Sequence, residues 1–250
     1  YGNTAMAALS RPAYIEIDHP NYYTDWEVAA GSAILWHIYN VAGDVDIDLY
    51  KESVGKVADV AIVPAVDGSY GWSPNSSGIV GDITSRYRIR ITSVDSGAIL
   101  TESREPFSIP PTSPDYYVDD SAATDVNAND EYCPAAAGWN RNTGKTTGDP
   151  KANLLPILRS YDLEPGNVVH IDTGDYIHVR NVILSGETAL GNDEGATFTG
   201  PTDPARVARI DRANPYSYAT NIELNQGDFV TLSHLTLQGG NIGVWVHNSS

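Results

Sequence analysis

The chain has 250 residues, 41% of them hydrophobic, which is enough to bury one large core or two ordinary ones. Its 15 Lys and Arg stand against 32 Asp and Glu, and the resulting net charge of −17 repels nucleic-acid phosphates and anionic lipid headgroups, so neither is an expected partner. One cysteine, Cys133, excludes an intramolecular disulfide, and no apolar run approaches the ~18 residues of a membrane-spanning helix, so no membrane insertion is expected.

The first half alternates apolar and polar residues at the period of a half-buried strand. YIEI puts Ile15 and Ile17 on one face, ILWHI puts Ile34, Trp36 and Ile38 there, VDIDL has Val45, Ile47 and Leu49, and YRIRI has Tyr87, Ile89 and Ile91. Turn-forming clusters (DHPN, AAGS, VAGD, VDGS) punctuate the gaps. Short strands at this spacing with no helical pattern between them predict an antiparallel β-sandwich. The order IEIDHPNYYTDWEVAAGSAILWHI, VDIDLYKE, GSYGWSP, YRIRITS and FSI resembles the Ser-Thr-rich GPI-anchored membrane family over residues 13 to 109, a domain also known from yeast cell-wall glucan-assembly proteins. The resemblance implies an Ig-like sandwich with Trp26 and Trp36 in its core. It also implies an extracellular setting beside cell-wall and polysaccharide-acting proteins, and no agreed catalytic residues. No anchor signal is visible in the chain.

FSIPPTSPDYYVDD holds Pro110, Pro111 and Pro114, which cannot donate to a sheet ladder and stiffen the chain. It predicts a linker over 110–115 that separates a sandwich at 1–109 from a different architecture at 116–250. DPKANLLPILRSYDLEPGN then offers Asp149 as a helix N-cap, Pro150 at the first helical position, and Leu154, Leu155, Leu158 and Tyr161 at helical spacing. The expectation is one short amphipathic capping helix, with Pro156 limiting its length.

Two later segments nearly repeat each other: GDYIHVRNVILSG from Gly174 and GDFVTLSHLTLQGG from Gly227. Ile177 matches Val230, Val179 matches Leu232, Val182 matches Leu235 and Leu184 matches Leu237. Each segment has one odd step in its apolar period, which a straight strand would not tolerate and a corner would. Corners repeating at this interval predict stacked coils, with the two segments two coils apart on one face and the matched residues inward. Asn181 and His234 share the corner position. The stretch from YYVDD through GWNRNTGKTTGDPKANLLPILRSYDLEPGNVVHIDTGDY resembles the entry of right-handed parallel β-helix proteins of the pectate-lyase-like superfamily. Asn167 stands where that family usually has Asp. The resemblance implies a helix plugging the first coil, with the fold running from 116 to 250. GGNIGVWVHNSS stops in mid-pattern, so the expectation is that the natural protein continues past Ser250 or that another chain covers that end.

Little of the chemistry-bearing content points to catalysis. The paired Asp with Gly-His-Gly of pectin hydrolases, the Arg or Lys with calcium-binding Asp of lyases and the DPHE motif of alginate epimerases are all missing. Asp172 and Asp175, or Asp211 beside Arg209 and Arg212, are pairs that arise often in so acidic a chain. TDVNANDE spaces Asp125, Asn127 and Asn129 like the start of an EF-hand, but Asp130 and Ala136 occupy its sixth and twelfth places, which rejects that motif. No cofactor is expected beyond loosely bound calcium. Trp72, Tyr116, Tyr117 and Trp139 are candidate sugar-stacking aromatics, with Trp139 the hardest to place in a core. His178 and Arg180 alternate with Ile177 and Val179 and are expected to face outward, toward an anionic sugar. Trp139, His178 and Arg180 are therefore the candidate carbohydrate-binding residues. The expectation is a secreted, non-catalytic surface or matrix protein for adhesion, polysaccharide binding or assembly, with polysaccharide or other copies of itself as partners. The alternative is the N-terminal portion of a polysaccharide lyase, epimerase or hydrolase with catalytic coils downstream.

Overall fold

The computed structural model describes residues 11–21, 24–29, 31–120, 129–185 and 193–248. Strands hold 47% of the chain and helix 6%, so the protein belongs to the all-β class. Among the described residues, no helix is long and apolar enough to cross a membrane. The chain divides into two compact units: 1–22, 31–79 and 85–107 form the first, and 23–30, 80–84 and 108–250 form the second.

The strands that contribute to the first unit are β1 (Tyr14–His19), β2 (Ser32–Tyr39), β3 (Asp44–Lys51), β4 (Gly55–Pro64), β5 (Ser69–Trp72), β6 (Asp82–Ser93), β7 (Leu100–Glu102) and β8 (Phe107–Ile109). They make two antiparallel sheets, one ordered β1-β2-β5 and the other β4-β3-β6-β7, with β8 beside β6. Alternation decides which residues are buried: Ile15, Ile34, Trp36, Val45, Ile47, Leu49, Tyr87, Ile89 and Ile91 all lose their contact with solvent. The Trp36 indole N–H, which burial would otherwise leave unsatisfied, donates to the Ala65 carbonyl at 2.9 Å. β3 departs from strict alternation, because Asp48 is also buried; Lys56 pairs with it at 2.8 Å.

The second unit contains β9 (Asp115–Val118), the helix α1 (Leu154–Ser160), and nine further strands. These are β10 (Val168–Ile171), β11 (Gly174–Ile177), β12 (Val182–Ser185), β13 (Thr197–Thr199), β14 (Ala208–Asn214), β15 (Thr220–Asn225), β16 (Thr231–Ser233), β17 (Leu235–Gly240) and β18 (Ile242–His247). They form three parallel sheets, ordered β9-β10-β13-β16, β11-β14-β17 and β12-β15-β18. From β10 onward the chain visits the sheets in rotation, so each pass lays one strand on each sheet, and β9 adds to the sheet of β10. Pairing aligns Tyr116, Val169, Phe198 and Leu232 in one row, Tyr176, Ile210 and Leu237 in a second, and Val182, Ile222 and Val244 in a third. Apart from Val244, which is exposed, these rows meet in one core. Burial of this kind stabilises by ~25 cal/mol per Å² of apolar surface removed from water.

The doubled segment has a different phase from the one expected. Gly174–Gly186 supplies β11 and β12, whereas Gly227–Gly240 supplies β16 and β17, so the two turn different corners. Tyr176 is the partner-row equivalent of Leu237, and Val182 that of Val244. Inward and outward are also exchanged around the first corner. Ile177 is 61% exposed and Val179 87%, while His178 is 1% exposed. Tyr176 fills the interior and anchors its hydroxyl on the Asp172 carbonyl at 3.0 Å, and this sets the parity of the strand. Asn181 and His234 accordingly sit at different corners. Val182 and Leu184 point inward as expected.

α1 begins later than its sequence signals suggest. Asn153, not Asp149, is the N-cap and accepts from the Leu155 N–H at 3.2 Å. Pro156 falls in the first turn, where its missing N–H costs nothing. Asp149 instead orders the preceding loop, taking the Thr143 N–H at 2.8 Å and its hydroxyl at 2.6 Å. Leu154 and Ile157 are buried, and Leu155 and Leu158 pack half-buried against the same core. Trp26 is buried as expected, but the segment that carries it belongs to the second unit. There Asp25 pairs with buried Lys151 at 2.5 Å, and Glu27 pairs with Lys145, whose ammonium lies 3.4 Å over the Tyr116 ring. Burial lowers the Lys145 pKa to about 8.

Candidate functional site

The corner between β11 and β12 and the one between β14 and β15 border an open cleft of about 420 Å³. Arg180, Asn181, Arg212, Asn214 and Tyr218 line it, with Ile183 at its edge. Beyond β11 the chain bends at Val179 and Arg180, which breaks the alternation and leaves both residues exposed. Arg212 is held in place: its Nε donates to Asn181 Oδ1 at 3.1 Å and one terminal nitrogen donates to the His178 carbonyl at 3.2 Å. Asn181 also accepts from the Thr220 N–H at 3.0 Å and donates to Glu223 at 3.1 Å, so one amide ties two passes together. Glu223 is engaged a second time by His247 at 2.8 Å. Arg180, by contrast, makes no hydrogen bond or ion pair among the described residues.

An aromatic surface flanks the two guanidinium groups. Tyr218 is 73% exposed and sits at a left-handed backbone position just before β15. Its ring centroid lies 6.4 Å from that of Trp245, which in turn lies 4.7 Å from His247. Paired cations beside an exposed ring can take a carboxylate in a bidentate hydrogen bond while a sugar face stacks on the aromatic.

Of the three residues singled out from sequence, only Arg180 reaches this cleft. His178 lies in the interior, with neither ring nitrogen hydrogen-bonded, and burial followed by the nearby Arg212 charge lowers its pKa to about 4. It does not face outward, because Tyr176 sets the strand's parity. Trp139 is 56% exposed but stands in the loop before α1, with the Arg141 guanidinium 5.6 Å from its ring centre. The other aromatic candidates are engaged in packing. Trp72 is buried and donates to Ser77 at 3.0 Å, Tyr116 is in the core, and Tyr117 stacks on His170 at 5.1 Å. The acid pairs are structural: Asp175 is salt-bridged to Arg209, and Asp211 takes the Ala213 N–H at 2.7 Å and the Gln238 amide at 2.9 Å. Asp125 and Asn127 of the calcium-like stretch lie outside the described residues.

Sequence reasoning missed Arg212, Tyr218 and Trp245 as a group. They come from three separate strands or corners, and only the stacking register joins them. Among the described residues, the one group that could hold a metal ion is the buried set Asp119, Asp130 and Asp172. No family model, curated protein or solved structure matches the chain.

Proposed function

We propose that the chain is a secreted, non-catalytic surface or matrix protein that binds carboxylate-bearing polysaccharide in the Arg180–Arg212 cleft. In the fold on which this reading rests, a sandwich like that of the Ser-Thr-rich GPI-anchored membrane family spans 1–109. A linker at 110–115 precedes the capped first coils of a right-handed parallel β-helix of the pectate-lyase-like kind. Three parallel sheets visited in rotation support the β-helix, and two antiparallel sheets with one buried face each support the sandwich.

The observation that carries the binding reading is an unengaged Arg180 beside a fixed Arg212, both bordered by exposed Tyr218. The same geometry speaks for binding over turnover. His178, sealed at 1% exposure, cannot pass a proton to a ligand in the cleft, and Glu223 is tied to Asn181 and His247. The test is affinity electrophoresis through gels containing pectate, alginate or neutral glucan, with reducing ends and unsaturated products followed in parallel. Retardation by the two acidic polymers alone, with no product, is expected. Equal retardation by neutral glucan, or product formation that Arg180→Ala abolishes, would sink the reading.

A further inference from the structure

Asp119 and Asp172 follow the adjacent parallel strands β9 and β10, whose last paired residues are Val118 and Ile171, so the two leave the sheet at equivalent places. Asp130 approaches from the segment before Cys133. The three are 1%, 0% and 3% exposed, and one carboxylate oxygen of each lies within 4.8 Å of the other two. Asp172 is held rigidly. Its Oδ1 accepts from the Glu131 and Thr173 N–H groups at 2.7 Å, and its Oδ2 accepts from those of Tyr132 at 2.8 Å and Cys133 at 2.6 Å. Asp119 is only partly satisfied: its carboxylate takes one backbone N–H bond, from Asp120, while its Oδ1 is sealed from solvent with no hydrogen-bond partner, and one of its oxygens belongs to the converging set. A buried oxygen of this kind costs the fold its full desolvation penalty unless something positive faces it.

We propose that Asp119, Asp130 and Asp172 bind a calcium ion that ties the ends of β9 and β10 to the Asp130 segment. The converging set is three carboxylates; the Cys133 thiol hydrogen-bonds Asp172 but stands outside that set, so the donors favour a hard cation over zinc. Oxygens at about 2.4 Å from one ion can be up to about 4.8 Å apart, which the carboxylate spacing satisfies. A closed pocket of protein carboxylates suits calcium, whereas magnesium retains several waters. This site is separate from the cleft and does not depend on it.

The experiment uses chelator-treated full chain. Calcium at a hundredfold excess over its Kd should raise Tm by about 5 °C. Terbium should bind the same site with luminescence sensitised by Tyr176, whose hydroxyl donates to the Asp172 carbonyl at 3.0 Å, and calcium should displace it. Asp130→Asn should weaken calcium at least tenfold and Asp119→Asn should abolish the Tm response. Should Asp119→Asn fail to fold, Asp130→Asn and the terbium competition on the unaltered protein decide the matter. Absence of both a Tm shift and sensitised emission at millimolar metal overturns the proposal. An unchanged calcium response in Asp130→Asn does so too, and an equal response to magnesium overturns the choice of ion.

Discussion

His178 and Asp193 are two buried titratable residues whose effects on stability run in opposite directions. The folded chain holds His178 neutral down to about 4, against an ordinary value of 6.5, because burial disfavours the imidazolium. The unfolded chain therefore takes up this proton first as pH falls. The stability that His178 contributes is complete above about 6.5 and is lost on the way down to about 4, by as much as ~3 kcal/mol. Asp193 is raised to about 6 by burial, so the folded chain holds its proton longer and stability declines as pH rises from about 4 to about 6. The two nearly cancel in the unaltered protein and separate in variants. Urea unfolding at pH 4.5 and pH 7 should show His178→Leu gaining stability at the lower pH relative to wild type, and Asp193→Asn gaining it at the higher. A wild-type-like pH profile in His178→Leu would show that the imidazole is not sealed. None of this was legible in the sequence, where His178 looked like one half of an outward pair. Parity along four residues depends on which large side chain wins the interior, and here Tyr176 outcompetes Ile177.

Element by element, the alternating strands were readable because each contains its own period: Ile15 and Ile17, or Ile47 and Leu49, are buried as their spacing predicts. The capping helix was readable in its apolar face but not in its start, since Asp149 and Asn153 are both competent caps and the loop's need for Asp149 decided between them. Asn153→Ala should accordingly cost about 1 kcal/mol, and Asp149→Ala should act through the loop and leave helix onset unchanged, as amide exchange at Leu155 would report. The doubled segment misled because two different corners of one stack satisfy the same local pattern. The close approach of successive passes at the corner after β13 and β16 sets a sharper test. A Cβ at Gly200 would lie 2.0 Å from the His234 carbonyl oxygen, whereas one at Gly148 meets nothing within 4 Å. Gly200→Ala should lose about 2–3 kcal/mol in chemical denaturation and Gly148→Ala almost nothing. Equal effects would mean that β13 and β16 do not stack as described.

For the molecule as a whole, the net charge of −17 opposes the polyanion proposed as the ligand of the cleft. The two act over different distances. The overall repulsion is long-ranged and is screened beyond about 8 Å at physiological salt, whereas a guanidinium in contact with a carboxylate keeps much of its attraction there. Affinity for pectate should therefore pass through a maximum, weak at very low salt, best near 0.15 M (~8 Å screening) and weak again near 1 M (~3 Å). A monotonic fall from the lowest salt would mean that a broader basic surface, not this cleft, does the binding. The cleft was only partly legible in advance: Arg180 was visible as an outward cation, but Arg212 and Tyr218 join it in the cleft, and Trp245 stands beside Tyr218, only through the register of β11 on β14 and β15 on β18. The central claim is that Arg180 grips a carboxylate, and calorimetric titration of oligogalacturonate into wild type and Arg180→Ala near 0.15 M salt tests it most directly. We predict saturable binding to wild type and a Kd about tenfold weaker in the variant, a loss of ~1.4 kcal/mol. Equal affinities in the two proteins would contradict the account.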